Sequence, residues 1–338
     1  MPPQRAKRTS FLPDEIYDAI TDARIKDPTV PLQMAKKRSK RHAIAEDGRL
    51  SLLAADHPAR MVTAIRDDAV RMGNRHEFLS RILRVIACSE FDGILSTSDI
   101  VDELFFIEQL ASGNATKFLD QKVIVGSMNR GGLAGSAFEL DDTVTGYDVE
   151  GLVAMNLDAG KFLLRLDPGD RDSGKTLEYC VDTIRKCNEK DLPIFVEPLP
   201  VSSGEGVKVE RNAEKLIKLV GVATALSSSS TKIWLKLPFC EDFEDVARST
   251  TLPILLLGGE ATNDIESLLT EVETALRSGP NVRGVLMGRS LLYPPVGDPF
   301  PLANAVNAMV HRGLGAKQAL VEMKKWEGVI VDPFRTGS

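Results

Sequence analysis

Lys232-Ile233-Trp234-Leu235-Lys236-Leu237-Pro238 is the stretch on which the reading of this chain turns. Side chains on a strand alternate between its two faces. Ile233, Leu235 and Leu237 therefore point one way, and Trp234 and Lys236 the other. The aliphatic set suits the layer beneath covering helices, which leaves Lys236 facing the interior of a closed sheet, near the strand's C-terminal end. Burial disfavours an ammonium and lowers a lysine's pKa. A free amine is the nucleophile that a Schiff base needs. A lysine at a strand end that simply reaches solvent fits the same seven residues, and local sequence does not separate the two.

Seven further apolar runs of strand length lie on either side. They are Leu50–Asp56, Asp92–Leu95, Lys122–Gly126, Lys161–Leu166, Pro193–Leu199, Pro253–Leu257 and Arg283–Met287. Several are rich in Val, Ile and Leu, as strands covered on both faces should be. Amphipathic stretches separate them, at Ala59–Arg71, Gly174–Asn188, Ala213–Leu226, Asn263–Arg277 and Leu302–His311. Eight strands alternating with helices predict an α/β fold, a (β/α)8 TIM barrel. A doubly wound open sheet is the alternative that periodicity leaves open. Residues 1–48 read as a helical N-terminal extension, 49–315 as the barrel, and 316–338 as a C-terminal helix (Lys317–Trp326) and tail.

The bulk properties agree with such a chain. At 338 residues it is long enough for one barrel without a second domain. The formal net charge of −6 argues against a surface built for nucleic acid, so any anionic ligand needs a local cationic pocket. No run of about 18 apolar residues is present, so no membrane span is expected. The start of the chain, Met1 to Arg8, is basic without an apolar segment, which does not fit a signal peptide, and Asp14 and Glu15 argue against a transit peptide. Cys88, Cys180, Cys187 and Cys240 form no CxxC pair and no zinc spacing with histidine, so they read as free thiols in a reducing compartment. A cytoplasmic location is the default. Homo-oligomerisation is compatible with the sequence.

The ends of the predicted strands carry the polar residues. In Pro193-Ile-Phe-Val-Glu197-Pro198, Phe195 and Glu197 share a face. A carboxyl on the inner face needs a partner, and a facing lysine would supply one, either for chemistry or as a structural ion pair. Asp56 closes Leu50-Ser-Leu-Leu-Ala-Ala-Asp56 and suits acid/base work, or it caps a following helix. His57 is a group that could support it. Lys161, Leu163, Arg165 and Asp167 share one face of the fourth run; a pure strand reading favours Arg165 and Asp167 at the mouth. Gly258-Gly259 and Gly288-Arg289 follow the seventh and eighth runs, where backbone amides and an arginine can hold a phosphate.

Two short motifs compete with this picture. Gly169-Asp-Arg-Asp-Ser-Gly174-Lys175-Thr176 fits a P-loop, with Lys175 as its phosphate lysine. Asp170 and Asp172 would then sit where polyphosphate should lie, which counts against it. The basic run Lys36-Lys-Arg-Ser-Lys-Arg-His42 suits nucleic acid or a localisation signal, but reads better as a solvated face.

Taken in order, the strand-end residues resemble those of class I aldolases that work through a Schiff base: the fructose-bisphosphate and tagatose-bisphosphate aldolases and the deoxyribose-phosphate-aldolase-like barrels. The likeness runs from about Leu50 to Leu292. It rests on Ala54-Ala-Asp56, Gly126-Ser-Met-Asn-Arg-Gly131, Thr143-Val-Thr-Gly146, Gly160-Lys161-Phe, Val196-Glu197-Pro198, Leu235-Lys236-Leu-Pro238, Leu257-Gly-Gly259 and Met287-Gly-Arg289. The resemblance implies Lys236 as the Schiff-base lysine, with Glu197, Asp56 and Lys161 as catalytic partners. It implies Gly258, Gly259, Gly288 and Arg289 as the phosphate site. It also favours Lys161 over Arg165. Arg130 stands where the family often has lysine; arginine keeps the charge and changes its shape and reach, so the substrate can differ.

The expected activity is metal-free and cofactor-free cleavage of a phosphorylated keto-sugar or keto-acid, of ketose-bisphosphate or inositol-pathway deoxy-keto-phosphogluconate type. Two other classes remain: an NTP-binding protein using Lys175, and a non-catalytic barrel that senses a metabolite.

Overall fold

The computed structural model describes residues 12–87, 89–111, 117–204, 206–295 and 297–329. The expectations for Met1 to Arg8, Cys88 and the end of the tail therefore lie outside the described residues. Among the described residues nine strands form: β1 Leu50–Ala54, β2 Gly93–Ser96, β3 Val123–Ser127, β4 Ala159–Leu166, β5 Ile194–Gly204, β6 Gly206–Val209, β7 Ile233–Leu237, β8 Ile254–Leu257 and β9 Val282–Met287. Eight of them are parallel and close on themselves, because β9 pairs with β1 and β4 pairs with β5. This is a (β/α)8 barrel, and the open sheet is excluded. The ninth strand, β6, turns back antiparallel along the outer end of β5, pairing Val201 with Val209. That hairpin rises over the C-terminal mouth.

The helices are α1 Asp14–Lys26, α2 Val30–Lys37, α3 Arg75–Ile86, α4 Ser98–Ala111, α5 Val149–Ala154, α6 Asp172–Glu189, α7 Ala213–Thr224, α8 Phe243–Arg248, α9 Ile265–Arg277, α10 Arg289–Leu292, α11 Pro299–Arg312 and α12 Ala316–Trp326. Strand alternation sorts the core as the sequence suggests. Leu50, Leu52, Leu95, Val125, Phe195 and Leu255 fill the barrel, with Trp234 against them. Ile233, Leu235 and Leu237 join the layer between strands and helices. Among the described residues no helix is long and apolar enough to cross a membrane. Cys180, Cys187 and Cys240 are buried and not bridged.

One expectation is corrected and one is qualified. No helix spans Ala59–Arg71: a single 3-10 turn covers Pro58–Arg60, and Met61 and Arg66 take left-handed conformations that interrupt the coil. The helix begins later, where the Asn74 side chain accepts the Glu77 amide at 3.0 Å and caps α3. The basic run is a solvated face only in part: Lys36, Lys37, Ser39, Lys40 and His42 are exposed, while Arg38 is buried and Arg41 half-buried. Arg38 pairs with Asp158 at 2.9 Å, and Lys40 reaches the same carboxylate at 3.3 Å. Arg41 pairs with Asp92 at 2.8 Å. Asp92 and Asp158 stand just before β2 and β4, so this segment closes the N-terminal end of the barrel.

Candidate functional site

Register places the polar side chains before any contact between them is considered. Phe195 pairs with Trp234, so Glu197 and Lys236, two residues further along, come side by side. Lys161 pairs with Phe195, so it lies one inward step below Glu197 and its long side chain extends up toward it. The result is one carboxylate between two amines. Lys161 Nζ is 2.5 Å from Glu197 Oε2, and Lys236 Nζ is 3.0 Å from Glu197 Oε1. All three are at most 7% exposed.

Asp56 follows β1 and enters the same cluster. Its Oδ2 is 3.9 Å from Lys161 Nζ and accepts the Ser127 hydroxyl at 3.0 Å. Arg130 forms an ion pair with Asp56 and donates from Nε to Ser127 Oγ at 2.8 Å. Asp56, Ser127 and Arg130 thus interlock, and Asp56 caps no helix. The His57 ring stands beside Asp56, 3.9 Å away, and against Gly288.

The electrostatics follow from burial and pairing. Burial alone would raise the Glu197 carboxyl, but the charges of Lys161 and Lys236 outweigh it and hold Glu197 well below the usual carboxylate range. Burial pushes Lys161 well below an ordinary lysine; Glu197 opposes the shift, and Lys236 and Arg130 add to it. Burial also brings Arg130 down to about 10, and it keeps the His57 imidazole well below its ordinary value.

A cavity of about 490 Å³ opens above this cluster. Asp56, His57, Arg130, Lys161, Glu197 and Lys236 form its floor and sides, and Gly258, Gly259, Gly288 and Arg289 line another part of its wall. All ten of these residues, each singled out from the sequence, therefore border one space. Lys161 and Arg165 both line it, so the choice between them falls away. Arg165 lies nearer the rim, bonded to Glu139 and, at 3.1 Å, to the Gly132 carbonyl. Asn129 fixes the loop after β3 by exchanging two 2.7 Å hydrogen bonds with the Leu163 backbone.

Sequence reasoning passed over several residues of this cavity. Arg60 is buried in it, paired with Asp142 and bonded to the Asn129 carbonyl at 2.7 Å. Lys208 and Arg211 come from the β5–β6 hairpin and the turn after it. The pattern Val201-Ser-Ser-Gly-Glu-Gly-Val-Lys-Val209, alternating about a glycine-rich turn, carried the signal for that hairpin.

The P-loop-like segment folds differently from a phosphate cradle. α6 begins at Asp172, so Gly174, Lys175 and Thr176 lie inside the helix. Lys175 is tied to Asp141 at 2.8 Å and Asp172 at 2.9 Å. The Thr176 hydroxyl donates to the Leu140 carbonyl at 2.5 Å.

The sequence matches the Cgl0159-like family profile over residues 48–310. The crystal structure of Cgl0159 from Corynebacterium glutamicum is similar at 36% identity and a TM-score of 0.83, covering 90% of this chain and 100% of that one. A Schiff-base-forming fructose-1,6-bisphosphate aldolase shares the fold at 21% identity and a TM-score of 0.56, over 83% of this chain and 100% of the other. A fructose-bisphosphate aldolase from Slackia heliotrinireducens does so at 14% identity and a TM-score of 0.62, over 97% and 96% of the two chains. No functionally curated protein matches the chain.

Proposed function

The chain belongs to the Cgl0159-like family, and we propose that it is a class I aldolase that cleaves a phosphorylated keto-sugar or keto-acid through a Schiff base on Lys236. The observation that carries this reading is Glu197 standing between Lys161 and Lys236, with one oxygen on each amine. Two buried lysines on one carboxylate, beside a second carboxylate, form a device for moving protons at an amine.

The chemistry runs as follows. The Lys236 amine attacks the substrate ketone and gives a carbinolamine. Glu197 carries protons between Nζ and the departing hydroxyl, water leaves, and an iminium forms. Asp56 takes the proton of the substrate hydroxyl β to that iminium carbon. The carbon–carbon bond breaks, its electron pair passes into the iminium to form an enamine, and the aldehyde departs. Protonation and hydrolysis of the enamine release the second product and restore Lys236. Lys161 and Arg130 keep the resting carboxylates ionised and so able to accept those protons. Gly258, Gly259, Gly288 and Arg289 hold the phosphate and so fix the reacting carbons over Lys236. Likeness in fold to a Schiff-base-forming fructose-1,6-bisphosphate aldolase supports the reaction class.

A coupled assay for dihydroxyacetone phosphate, run with chelator over a panel of ketose phosphates and keto-acid phosphates, tests the proposal. Turnover that survives chelator and disappears in Lys236→Arg supports it. Turnover that persists in Lys236→Arg, or that chelator abolishes, refutes it.

A further inference from the structure

Arg211 is a cation of this cavity that the aldolase mechanism leaves without a task. It follows β6, and its neighbours fix where it stands. The Glu210 amide donates to the Pro200 carbonyl at 2.9 Å, and the Asn212 side chain caps α7 by accepting the Lys215 amide at 3.1 Å. Between those two anchors Arg211 extends over Gly258-Gly259. A Cβ on Gly259 would lie 3.2 Å from its Nη2, and Gly259 itself is left-handed, with φ of +64°. Arg211 is exposed and makes no ion pair or hydrogen bond among the described residues.

The opposite side of the same dipeptide is also short of partners. Arg289 has a buried Nε with no hydrogen-bond partner, and its nearest carboxylate is exposed Glu260, 3.6 Å away. Burial disfavours the Arg289 charge, and Arg211 adds repulsion. The Ser290 hydroxyl is buried and unpartnered, and it lies 2.3 Å from where a Gly258 Cβ would be. Two like charges, an unpaired guanidinium nitrogen and an idle hydroxyl around a bare Gly-Gly backbone lack one thing, an anion shared among them.

We propose that Arg211 is the second cation of the anion site at Gly258-Gly259, facing Arg289 across it, and that it closes on a phosphate monoester group. The hairpin thereby supplies a residue that selects phosphorylated substrates over their unphosphorylated counterparts. This inference rests on the cavity being the substrate site but not on any chemistry at Lys236.

Titration calorimetry of the full chain with inorganic phosphate tests it, using the wild type, Arg211→Ala, Arg211→Lys, Arg289→Ala and Lys208→Ala. Lys208→Ala removes the same charge from the same hairpin. The wild type should bind phosphate saturably. Arg211→Ala and Arg289→Ala should each weaken binding by about tenfold or more, as loss of a charge-assisted bond does. Arg211→Lys should recover part of the loss, and Lys208→Ala should change the affinity less than about twofold. The proposal is overturned if the wild type does not bind, if Arg211→Ala binds like the wild type, or if Lys208→Ala weakens binding as much as Arg211→Ala does. Calorimetry reads no covalent step, so phosphate binding through Arg211 in a chain that forms no Schiff base would refute only the aldolase reading.

Discussion

Lys161 and Lys236 hold opposite oxygens of one carboxylate, reaching Glu197 from the strands on either side of β5 at 2.5 Å and 3.0 Å. Among the described residues neither lysine lies close to a second equally good carboxylate; Asp56 is 3.9 Å from Lys161. A change at Glu197 therefore disturbs both amines together.

Glu197→Gln keeps the volume and removes the charge. Turnover should fall by about 10²- to 10⁴-fold, the usual worth of a positioned acid/base. Far-ultraviolet circular dichroism should stay unchanged, since glutamine still offers an oxygen to one lysine. Activity within a few-fold of the wild type would remove Glu197 from the proton path.

Arg130→Lys separates the two halves of the reaction. Lysine keeps the charge near Asp56 but has no planar fork, so it cannot reproduce the two fixed donor positions from which Arg130 holds Asp56 and Ser127. Schiff-base formation at Lys236 should survive, while carbon–carbon cleavage should fall by up to about 10²-fold as Asp56 loses its orientation. Single-turnover kinetics with borohydride quenching would measure both steps. Equal losses in both would show that Arg130 serves the whole site and not Asp56.

Gly288→Ala should damage the site sterically. Its Cβ would lie 2.4 Å from the His57 ring and 3.0 Å from the Ala54 carbonyl, and the latter cannot swing away. Overpacking of this kind costs about 1–3 kcal/mol. A urea melt should show that loss together with weakened phosphate binding. A variant as stable and as tight as the wild type would mean that the loop after β9 is softer than its contacts imply.

His311 should make stability depend on pH at the opposite end of the barrel. Burial lowers its pKa, but hydrogen bonds to Asp92 at 2.8 Å and Asp47 at 2.7 Å outweigh that, and the net shift is upward. The folded protein thus binds the proton more tightly than the unfolded chain. The contribution is complete below the unfolded value of about 6.5 and is lost as pH rises through the higher folded value. The gap in melting temperature between the wild type and His311→Gln should be widest near pH 6 and should shrink toward pH 9. A gap that grows with pH would contradict the pairing.

The barrel was legible because eight apolar runs of strand length alternate with amphipathic stretches, and strand geometry then sorts their side chains into inside and outside. Lys236, Glu197 and Lys161 inherit that certainty of direction, since a strand offers only two faces. Arg60 and Arg211 were not legible, because they sit on turns whose course is set by distant partners: the Asn129 and Gly132 carbonyls for Arg60, the Pro200 carbonyl for the turn that carries Arg211. The false helix at Ala59–Arg71 has the same cause. Its apolar spacing suits a helix, but Arg60 is drawn inward by Asp142 and those carbonyls, and the chain turns left-handed at Met61 to follow. Likewise, the basic run was read by its composition, while its folded position depends on Asp92 and Asp158, far away in sequence.

Borohydride reduction in the presence of dihydroxyacetone phosphate, followed by peptide mass mapping, tests the central claim most directly. The account predicts one covalent adduct per chain on the peptide carrying Lys236, with Lys161 unmodified and the adduct absent from Lys236→Arg. An adduct on Lys161, or none with any phosphorylated ketone that the protein demonstrably binds, would contradict it.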